Sequence, residues 1–229
     1  EIAEKNNLKL LVGYQKRFDP EYQNLYDKIK NKTIKNIRTV TRDNPIPPIE
    51  YLKTSGGIIE DMISHDIDII NKFMDNKVPE EIECLFSTNH KELYKNKEIE
   101  NINIIMKYNN GVLASLNGSR TASYGYDQRM EVFCDEGLFV MENKRDTNLI
   151  EYDNFHKKDS KINYSFKERY QEAYLNELEH FHKIINEDIC IKDDLNRHIF
   201  NKKICNRINS IINNQKEKHN KVITLRNYK

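Results

Sequence analysis

Six β-strand patterns follow one another between residues 81 and 152, and this run constrains the fold more than any other feature of the chain. The predicted strands are Glu81–Ser87, Ile102–Tyr108, Val112–Arg120, Gln128–Cys134, Leu138–Glu142 and Asn148–Tyr152. Asn109-Asn110-Gly111 and Asp135-Glu136-Gly137 have the composition of tight hairpin turns. Because a hairpin places its two strands antiparallel, the pattern predicts a largely antiparallel sheet.

Helical patterns lie on both sides of the strand run. Asp19-Pro20 supplies an N-cap and a first-turn proline for a helix that extends to about Lys30. Two longer helices are predicted over Phe166–Asn186 and Leu195–Lys218. Since the strands are grouped and the helices flank them, the predicted fold class is α+β, an open sheet with helices covering one face.

Shorter elements complete the prediction. A helix end at Glu1–Asn7 is followed by a strand, Leu8–Tyr14, and the β-branched segment Thr33–Thr41 predicts another strand. A last short strand, Lys221–Leu225, could pair with the sheet. The segment Asp43–Tyr51 is predicted to be irregular, because its three prolines remove donors and fix φ.

The composition excludes several classes of protein. Thirteen Tyr and nine Phe argue against disorder, although 32% of the residues are charged. The formal net charge is +1, so no global field attracts nucleic acid or an anionic membrane. The sequence contains no run of 18 apolar residues, the length that a transmembrane helix needs. We therefore expect neither nucleic acid nor a membrane as a partner.

The cysteines indicate an intracellular protein. They are scattered without Cys-x-x-Cys spacing, at Cys84, Cys134, Cys190 and Cys205. This distribution suits reduced thiols rather than a disulfide framework or a zinc knuckle. His180-x-His182 does not predict a metal site, because residues two apart lie roughly 200° apart around a helix. We expect a cytoplasmic protein without a metal site.

Residues 54–74 predict a helix with an acid and a histidine on one stripe. Asp61, His65 and Asp68 stand at i, i+4 and i+7, which places them within roughly a 60° arc. An aspartate one turn before a histidine can orient the imidazole and bias its proton affinity, as a general base near neutral pH requires. The alternative is an ordinary solvated face of an amphipathic helix, and spacing alone leaves both open.

The same segment carries an apolar arc that can face a core. Its members are Ile59, Met62, Ile63, Ile70 and Phe73. Gly56 and Gly57 precede the helix and allow the backbone to approach another group closely. We therefore expect one side of this helix to be packed and another to carry the Asp/His stripe.

Three segments in register resemble the Gfo/Idh/MocA family of NAD(P)-dependent oxidoreductases, and its inositol 2-dehydrogenase-like branch in particular. They are VGYQKRFDP (Val12–Pro20), SGGIIEDMISHDIDII (Ser55–Ile70) and SRTASYGYDQRMEVFCDEG (Ser119–Gly137). Their order, spacing and predicted secondary structure agree with the family over essentially the whole chain.

The resemblance implies the C-terminal part of a two-domain enzyme. Members have an N-terminal Rossmann domain for the nicotinamide cofactor and a C-terminal α/β domain with an open sheet and the substrate pocket. We expect 1–14 to be a remnant of the dinucleotide-binding domain and 15–229 to be the substrate-binding and oligomerisation domain. The sequence has no GxGxxG unit, and Glu4-Lys5 is followed by Asn6 rather than by the proline of the family's Glu-Lys-Pro motif. We expect a fragment of a longer enzyme that is inactive alone.

The family's Asp-x-x-x-His motif falls on Asp61 and His65. The resemblance implies that His65 accepts the hydroxyl proton while a hydride leaves the same carbon for the nicotinamide. Asp61 would bind a neighbouring hydroxyl or steady the catalytic pair. The cofactor, NAD or NADP, would be bound mainly by the missing N-terminal domain.

The resemblance also implies substrate-binding roles for Asp68, Lys16, Arg17 and Tyr124. Asp68 would accept a polyol hydroxyl, Lys16 and Arg17 would overhang the cleft, and Tyr124 would close the pocket from the sheet side. The alternatives are a surface pair of Asp68 with Lys72, two solvated basic residues, and an aromatic side chain that only packs at a strand end.

The predicted function is the oxidation of a secondary hydroxyl of a cyclitol or sugar by hydride transfer. One alternative is a related NAD-dependent glycosidase or reductase. Another is a non-enzymatic sugar-binding or dimerising regulatory protein. The expected partners are a small polyol or sugar and further copies of the chain, which would associate through the open sheet face.

Overall fold

One six-stranded sheet forms the centre of the computed structural model, which describes residues 2–6, 8–187 and 192–226. Its strands are β1 Ile34–Arg42, β2 Glu81–Ser87, β3 Asn101–Lys107, β4 Leu113–Ser119, β5 Asp127–Cys134 and β6 Gly137–Met141. The order across the sheet is β2-β3-β4-β1-β5-β6. Two further strands, β7 Ile150–Tyr152 and β8 Lys157–Asp159, pair in a separate ribbon.

The position of β1 in the sheet sets the location of the functional residues. β1 lies between β4 and β5, parallel to β4 and antiparallel to β5, and all other pairs in the sheet are antiparallel. Arg42 is therefore opposite Ser119 on one side and Asp127 on the other. The end of β1, the end of β4 and the start of β5 thus meet at one edge. The predicted α+β class, with a mostly antiparallel open sheet, is confirmed.

The described part of the chain contains eight α-helices. They are α1 Ile2–Lys5, α2 Pro20–Ile29, α3 Ile49–Leu52, α4 Ser64–Phe73, α5 Lys91–Lys95, α6 Phe166–Arg169, α7 Gln171–Asn186 and α8 Lys192–Arg226. Gln15–Phe18 forms a 3₁₀ turn before α2, and Ile59–Ile63 forms a π-helical turn before α4. None of these helices combines the length and hydrophobicity that crossing a bilayer demands.

The start of α2 follows the sequence prediction. Oδ1 of Asp19 accepts hydrogen bonds from the backbone N–H groups of Glu21 (3.1 Å) and Tyr22 (3.3 Å), and Pro20 occupies the first turn. The buried Asp19 also accepts from Nη1 of Arg169 at 2.6 Å. The N-cap therefore has a second role, as the partner of a buried guanidinium.

The apolar arc predicted for the segment before residue 74 is buried against the sheet. Its members are at most 6% exposed: Ile59, Met62, Ile63, Ile70 and Phe73. At Gly118 of β4, a Cβ atom would lie 2.5 Å from Cδ1 of Ile63 and 3.0 Å from Cε of Met62. The helix therefore lies closer to β4 than any residue with a side chain at 118 allows without rearrangement.

Two strand predictions near the ends of the chain are wrong. Residues 8–14 form no strand, because a strand needs a hydrogen-bonded neighbour and no described strand pairs with this segment. Lys221–Leu225 is helical, since α8 continues to Arg226. That stretch contains no Gly or Pro, so the backbone can satisfy its hydrogen bonds within the helix.

Other boundaries differ in detail. The strand predicted at Asn148–Tyr152 is β7, and its partner is β8 rather than the main sheet. The helix predicted over Phe166–Asn186 is interrupted at Tyr170, between α6 and α7. The predictions for Glu1, Asn7 and Cys190 lie outside the described residues, and Cys84, Cys134 and Cys205 are buried free thiols.

Replacing Gly118 with alanine should destabilise the fold by about 1–3 kcal/mol, because the added methyl group overpacks the contact with Ile63. Urea denaturation of the protein measures the effect. Ser115→Ala, on the partly exposed side of the same strand, is the control and should change stability by less than about 0.5 kcal/mol. Equal stabilities for the Gly118 variant and the natural protein would contradict the proposed close contact.

Candidate active site

A cavity of about 600 Å³ opens beside the end of β1 and the helix that carries Asp61 and His65. The proline-rich segment 44–48 forms part of its wall. Its charged and imidazole-bearing lining residues are Lys16, Asp43, Asp61, His65 and Glu177. Carboxylates, an imidazole and an ammonium group therefore line one cavity, in which proton transfer to a small polar molecule is feasible.

The structure brings half of the predicted site residues to this cavity. Three line it: Lys16, Asp61 and His65. Three do not: Arg17, Asp68 and Tyr124. The predicted stripe of Asp61, His65 and Asp68 is thus divided between the cavity and a buried ion pair behind it.

The π-helical turn at Ile59–Ile63 sets the direction of Asp61, whereas His65 and Asp68 both lie in the regular helix α4. Such a turn contains more residues than the 3.6 of an α-helix, so the constant angle of about 100° per residue fails across it. Gly56 and Gly57, with φ of +86° and +80°, lead the chain into this turn in a conformation that other residues rarely adopt. The direction of Asp61 relative to His65 is therefore set by the π-turn and not by helical periodicity.

Asp61 is held by two residues other than the histidine. The Tyr51 hydroxyl donates to Oδ1 of Asp61, and Nη1 of Arg120 donates to Oδ2 at 2.5 Å. Both carboxylate oxygens are therefore engaged away from His65. The expectation that Asp61 orients the imidazole by a direct bond is corrected by this geometry.

His65 presents a neutral imidazole to the cavity. Its Nδ1 atom is buried and has no hydrogen-bond partner, while the ring packs edge-on against Tyr14 with centroids 5.5 Å apart. The pKa of His65 is lowered to about 4, chiefly by burial and also by the nearby charge of Lys16, while Asp66 and Asp61 oppose this shift. The ring is therefore unprotonated at neutral pH and has a free nitrogen lone pair.

Lys16 is a buried cavity residue rather than a solvated charge. Its Nζ donates to Oδ1 of Asp66 at 2.9 Å and to Oγ1 of Thr41 at 3.0 Å. Thr41 in turn donates to Oε1 of Gln128 at 2.8 Å. This network compensates the buried ammonium and fixes one wall of the cavity.

Arg17 and Asp68 bind each other. Nε of Arg17 donates to Oδ2 of Asp68 at 2.5 Å and its Nη2 donates to Oδ1 at 2.9 Å, and the Asp68 carboxylate is buried. Lys72, the alternative partner of Asp68, donates to Gln23 instead. Because both oxygens of Asp68 are paired outside the cavity, the structure gives no support to Asp68 as a hydroxyl acceptor.

Tyr124 lies outside the cavity wall, and Tyr126 occupies the place expected for it. Tyr124 is 51% exposed. Its hydroxyl donates to Oδ2 of Asp127 at 2.5 Å and accepts from Nη1 of Arg42 at 2.8 Å. Tyr126, two residues later, is buried and lines the cavity. Both residues lie before β5 begins, and Gly125 between them has a φ of +130°, so the alternation of a regular strand does not relate their directions.

The sequence analysis missed Asp43, Tyr51 and Arg120. The pKa of Asp43 is raised to about 6, chiefly by burial and also by the charge of Asp61, while Arg120 opposes this shift. A signal was present, because Asp43 and Tyr51 are the two ends of the proline-rich segment. Arg120 is the last residue of the predicted strand Val112–Arg120 and belongs to the segment that carried the resemblance. Their contacts depend on the pairing of β1 with β4, which the sequence did not indicate.

Comparison with known proteins agrees with this architecture. The family model for the GFO/IDH/MocA C-terminal domain matches residues 28–140. A myo-inositol 2-dehydrogenase of Thermotoga maritima is 34% identical over 190 residues, which are 80% of this chain and 56% of the relative. The NAD(+) scyllo-inositol 2-dehydrogenase of Bacillus subtilis is 29% identical over 74% of this chain and 50% of the relative.

A solved structure gives the same result. The crystal structure of a putative myo-inositol dehydrogenase from Sinorhizobium meliloti superposes with a TM-score of 0.85 at 27% identity, over 93% of this chain and 66% of that one. The present chain spans about half the length of the curated relatives that it matches. The shared fold and the family match show that this chain belongs to the Gfo/Idh/MocA family, to whose C-terminal domain it corresponds.

Proposed function

We propose that the full-length protein is an NAD(P)-dependent dehydrogenase that oxidises a secondary hydroxyl of a cyclitol or sugar, in the manner of an inositol 2-dehydrogenase. The observation that carries the proposal is that the His65 imidazole and the Asp61 carboxylate line the same cavity. Two of the relatives are inositol dehydrogenases by name, which supports a cyclitol as the substrate.

His65 is the general base of the proposed reaction. Oxidation of an alcohol to a ketone removes the hydroxyl proton and a hydride from the same carbon. The bound nicotinamide cofactor supplies the hydride acceptor. His65 takes the proton, because its ring is unprotonated at neutral pH and borders the cavity.

Asp61 binds a second hydroxyl of the same substrate. A polyol presents several O–H donors around its ring, and an ionised carboxylate has only hydrogen-bond acceptors to offer them. Asp43, Asp61 and Glu177 all line the cavity, so acceptors surround the space around His65. This arrangement orients the reacting carbon toward the base.

The cofactor is bound mainly outside the present chain. Dinucleotide phosphates are held at a glycine-rich turn before a helix, and the sequence has no GxGxxG unit. We assign residues 1–14 to the end of a dinucleotide-binding domain and residues 15–229 to the substrate-binding domain. NAD is the first cofactor to test, because the Bacillus subtilis relative is named for it.

His65→Ala should lower kcat of the full-length enzyme by about 10²-fold or more, since the general base is lost. The measurement is polyol-dependent formation of NADH or NADPH with several inositols and sugars. Net accumulation of reduced cofactor separates a dehydrogenase from a glycosidase that returns its hydride. His182→Ala, an exposed histidine on α7, is the control and should retain activity. Full turnover in the His65 variant would reject the assignment.

The depressed pKa of His65 also predicts a pH dependence of stability. The unfolded chain binds a proton near the ordinary value of 6.5, whereas the folded chain resists it down to about 4. The stability contribution is therefore complete above pH 6.5 and is lost as the pH falls toward 4.

Between pH 7 and pH 5, the natural protein should lose about 1–2 kcal/mol more unfolding free energy than His65→Gln. Urea denaturation at the two pH values measures the difference, and other titrating groups cancel in the comparison. If both proteins respond equally to pH, the imidazole is not buried as the structure describes.

We propose further that the open face of the sheet joins copies of the chain. Large apolar side chains on this face are between 41% and 76% exposed: Leu85, Ile105, Leu113, Phe133, Leu138 and Val140. Phe133 and Leu138 are direct cross-strand partners, and Asn36 of β1 is opposite both Phe133 and Leu113. Exposed apolar side chains on five strands of one sheet face are typical of an association site.

The double variant Phe133→Asp/Leu138→Asp should dissociate the assembly, because it buries two carboxylates at the proposed contact. Light scattering after size-exclusion chromatography gives the molar mass. Leu175→Asp is the control, since Leu175 is also exposed but belongs to α7. An unchanged molar mass for the double variant would exclude this face as the interface.

A further inference from the structure

Arg120 is buried and its guanidinium contacts three carboxylates. The distances are 2.5 Å from Nη1 to Oδ2 of Asp61, 3.3 Å from Nη1 to Oδ2 of Asp43, and 3.2 Å from Nη2 to Oε1 of Glu98. The arginine side chain is 0% exposed, while the three acids are between 11% and 16% exposed. A guanidinium without solvent needs such partners, because an unpaired buried charge is strongly destabilising.

The backbone holds Arg120 in place from two sides. Its N–H donates to the carbonyl of Glu100 at 2.8 Å, and the N–H of Asp43 donates to the carbonyl of Ser119 at 2.8 Å. These two backbone hydrogen bonds therefore fix the end of the parallel pair β1 and β4, next to the cavity residue Asp43. The guanidinium projects from this rigid edge toward the π-turn that carries Asp61.

Arg120 is outside the cavity wall, whereas Asp61 and Asp43 are in it. Any effect of Arg120 on a bound polyol must therefore pass through these carboxylates. The direct bond from Arg120 occupies Oδ2 of Asp61 and leaves Oδ1 to the Tyr51 hydroxyl, which is a residue of the cavity wall. A substrate hydroxyl can replace the phenol at Oδ1 while Arg120 keeps its hold on Oδ2.

We propose that Arg120 is the positioning residue of the active site, which fixes the rotamer of Asp61 so that Oδ1 faces the substrate and not His65. The proposal rests on the proposed dehydrogenase function. The planar fork of an arginine suits this task, since it contacts carboxylates from different elements at once and a lysine ammonium cannot reproduce its geometry.

The test begins with Arg120→Lys in the full-length enzyme. The variant retains the charge but loses the fork, and a misplacement of about 1 Å at Asp61 should lower kcat/KM for polyol oxidation by about 10²-fold. Arg169→Lys is the matched control, because Arg169 is equally buried and paired with Asp19, and neither residue lines the cavity. The control should lose thermal stability while its kcat/KM stays within about twofold.

A double-mutant cycle separates positioning from general structural support. The proposal routes the effect of Arg120 through Asp61 and not through Asp43. Asp61→Asn alone and Asp61→Asn/Arg120→Gln should therefore have the same kcat/KM within about twofold. This comparison needs no single variant at Arg120, but the double variant leaves Asp43 and Glu98 without their guanidinium partner, so its folding is checked by thermal denaturation. If the double variant does not fold, the position of Asp61 in the Arg120→Lys crystal decides the positioning role. A further tenfold loss in the double variant would overturn the proposal, as would an Arg120→Lys enzyme that behaves like Arg169→Lys.

Crystal structures keep this result distinct from a failure of the proposed function. If the natural protein oxidises no polyol, the dehydrogenase proposal fails, and the position of Asp61 in the Arg120→Lys crystal decides the positioning role. A carboxylate turned away from its place beside Tyr51 would support that role. An unmoved carboxylate would overturn it.

Discussion

The packing of the π-turn and α4 on β4 is the contact on which the site depends. Ile63 and Met62 lie over Gly118, where a Cβ atom would be only 2.5 Å from the isoleucine. Asp61 stands just before these two residues in the sequence, and His65 stands two positions after Ile63. The distance between this segment and β4 therefore determines how far both side chains extend over the edge of the sheet. Hydrophobic burial on one side of the helix thereby sets the geometry of polar groups on the other.

Pairing of buried charge then decides which residues remain available for a ligand. The Arg17 guanidinium donates hydrogen bonds to both carboxylate oxygens of Asp68, and the Lys16 ammonium donates to Asp66 and Thr41. His65 alone keeps a buried nitrogen without a partner among the titratable side chains that the resemblance implied. An imidazole tolerates this state because it is neutral, whereas an unpaired carboxylate or ammonium would not.

Local patterns allowed much of the fold to be predicted from the sequence. The Asp19 N-cap, the apolar arc around Ile63 and the strand run from residue 81 all depend on neighbours in the chain, and the structure has them. The parallel pairing of β1 with β4 and the π-turn have no such local pattern. Arg120, Asp43 and the changed direction of Asp61 depend on those two features, and for that reason they escaped the sequence analysis.

The π-turn has a consequence for how this helix tolerates changes in length. A π-turn is equivalent to one extra residue accommodated within an α-helix, at the cost of a local bulge. Deletion of a single residue between Ile59 and Ile63 would restore regular helical winding and rotate everything before the deletion by about 100° relative to α4. The partnership of Asp61 with Arg120 is therefore encoded in the number of residues in this segment as much as in their identity.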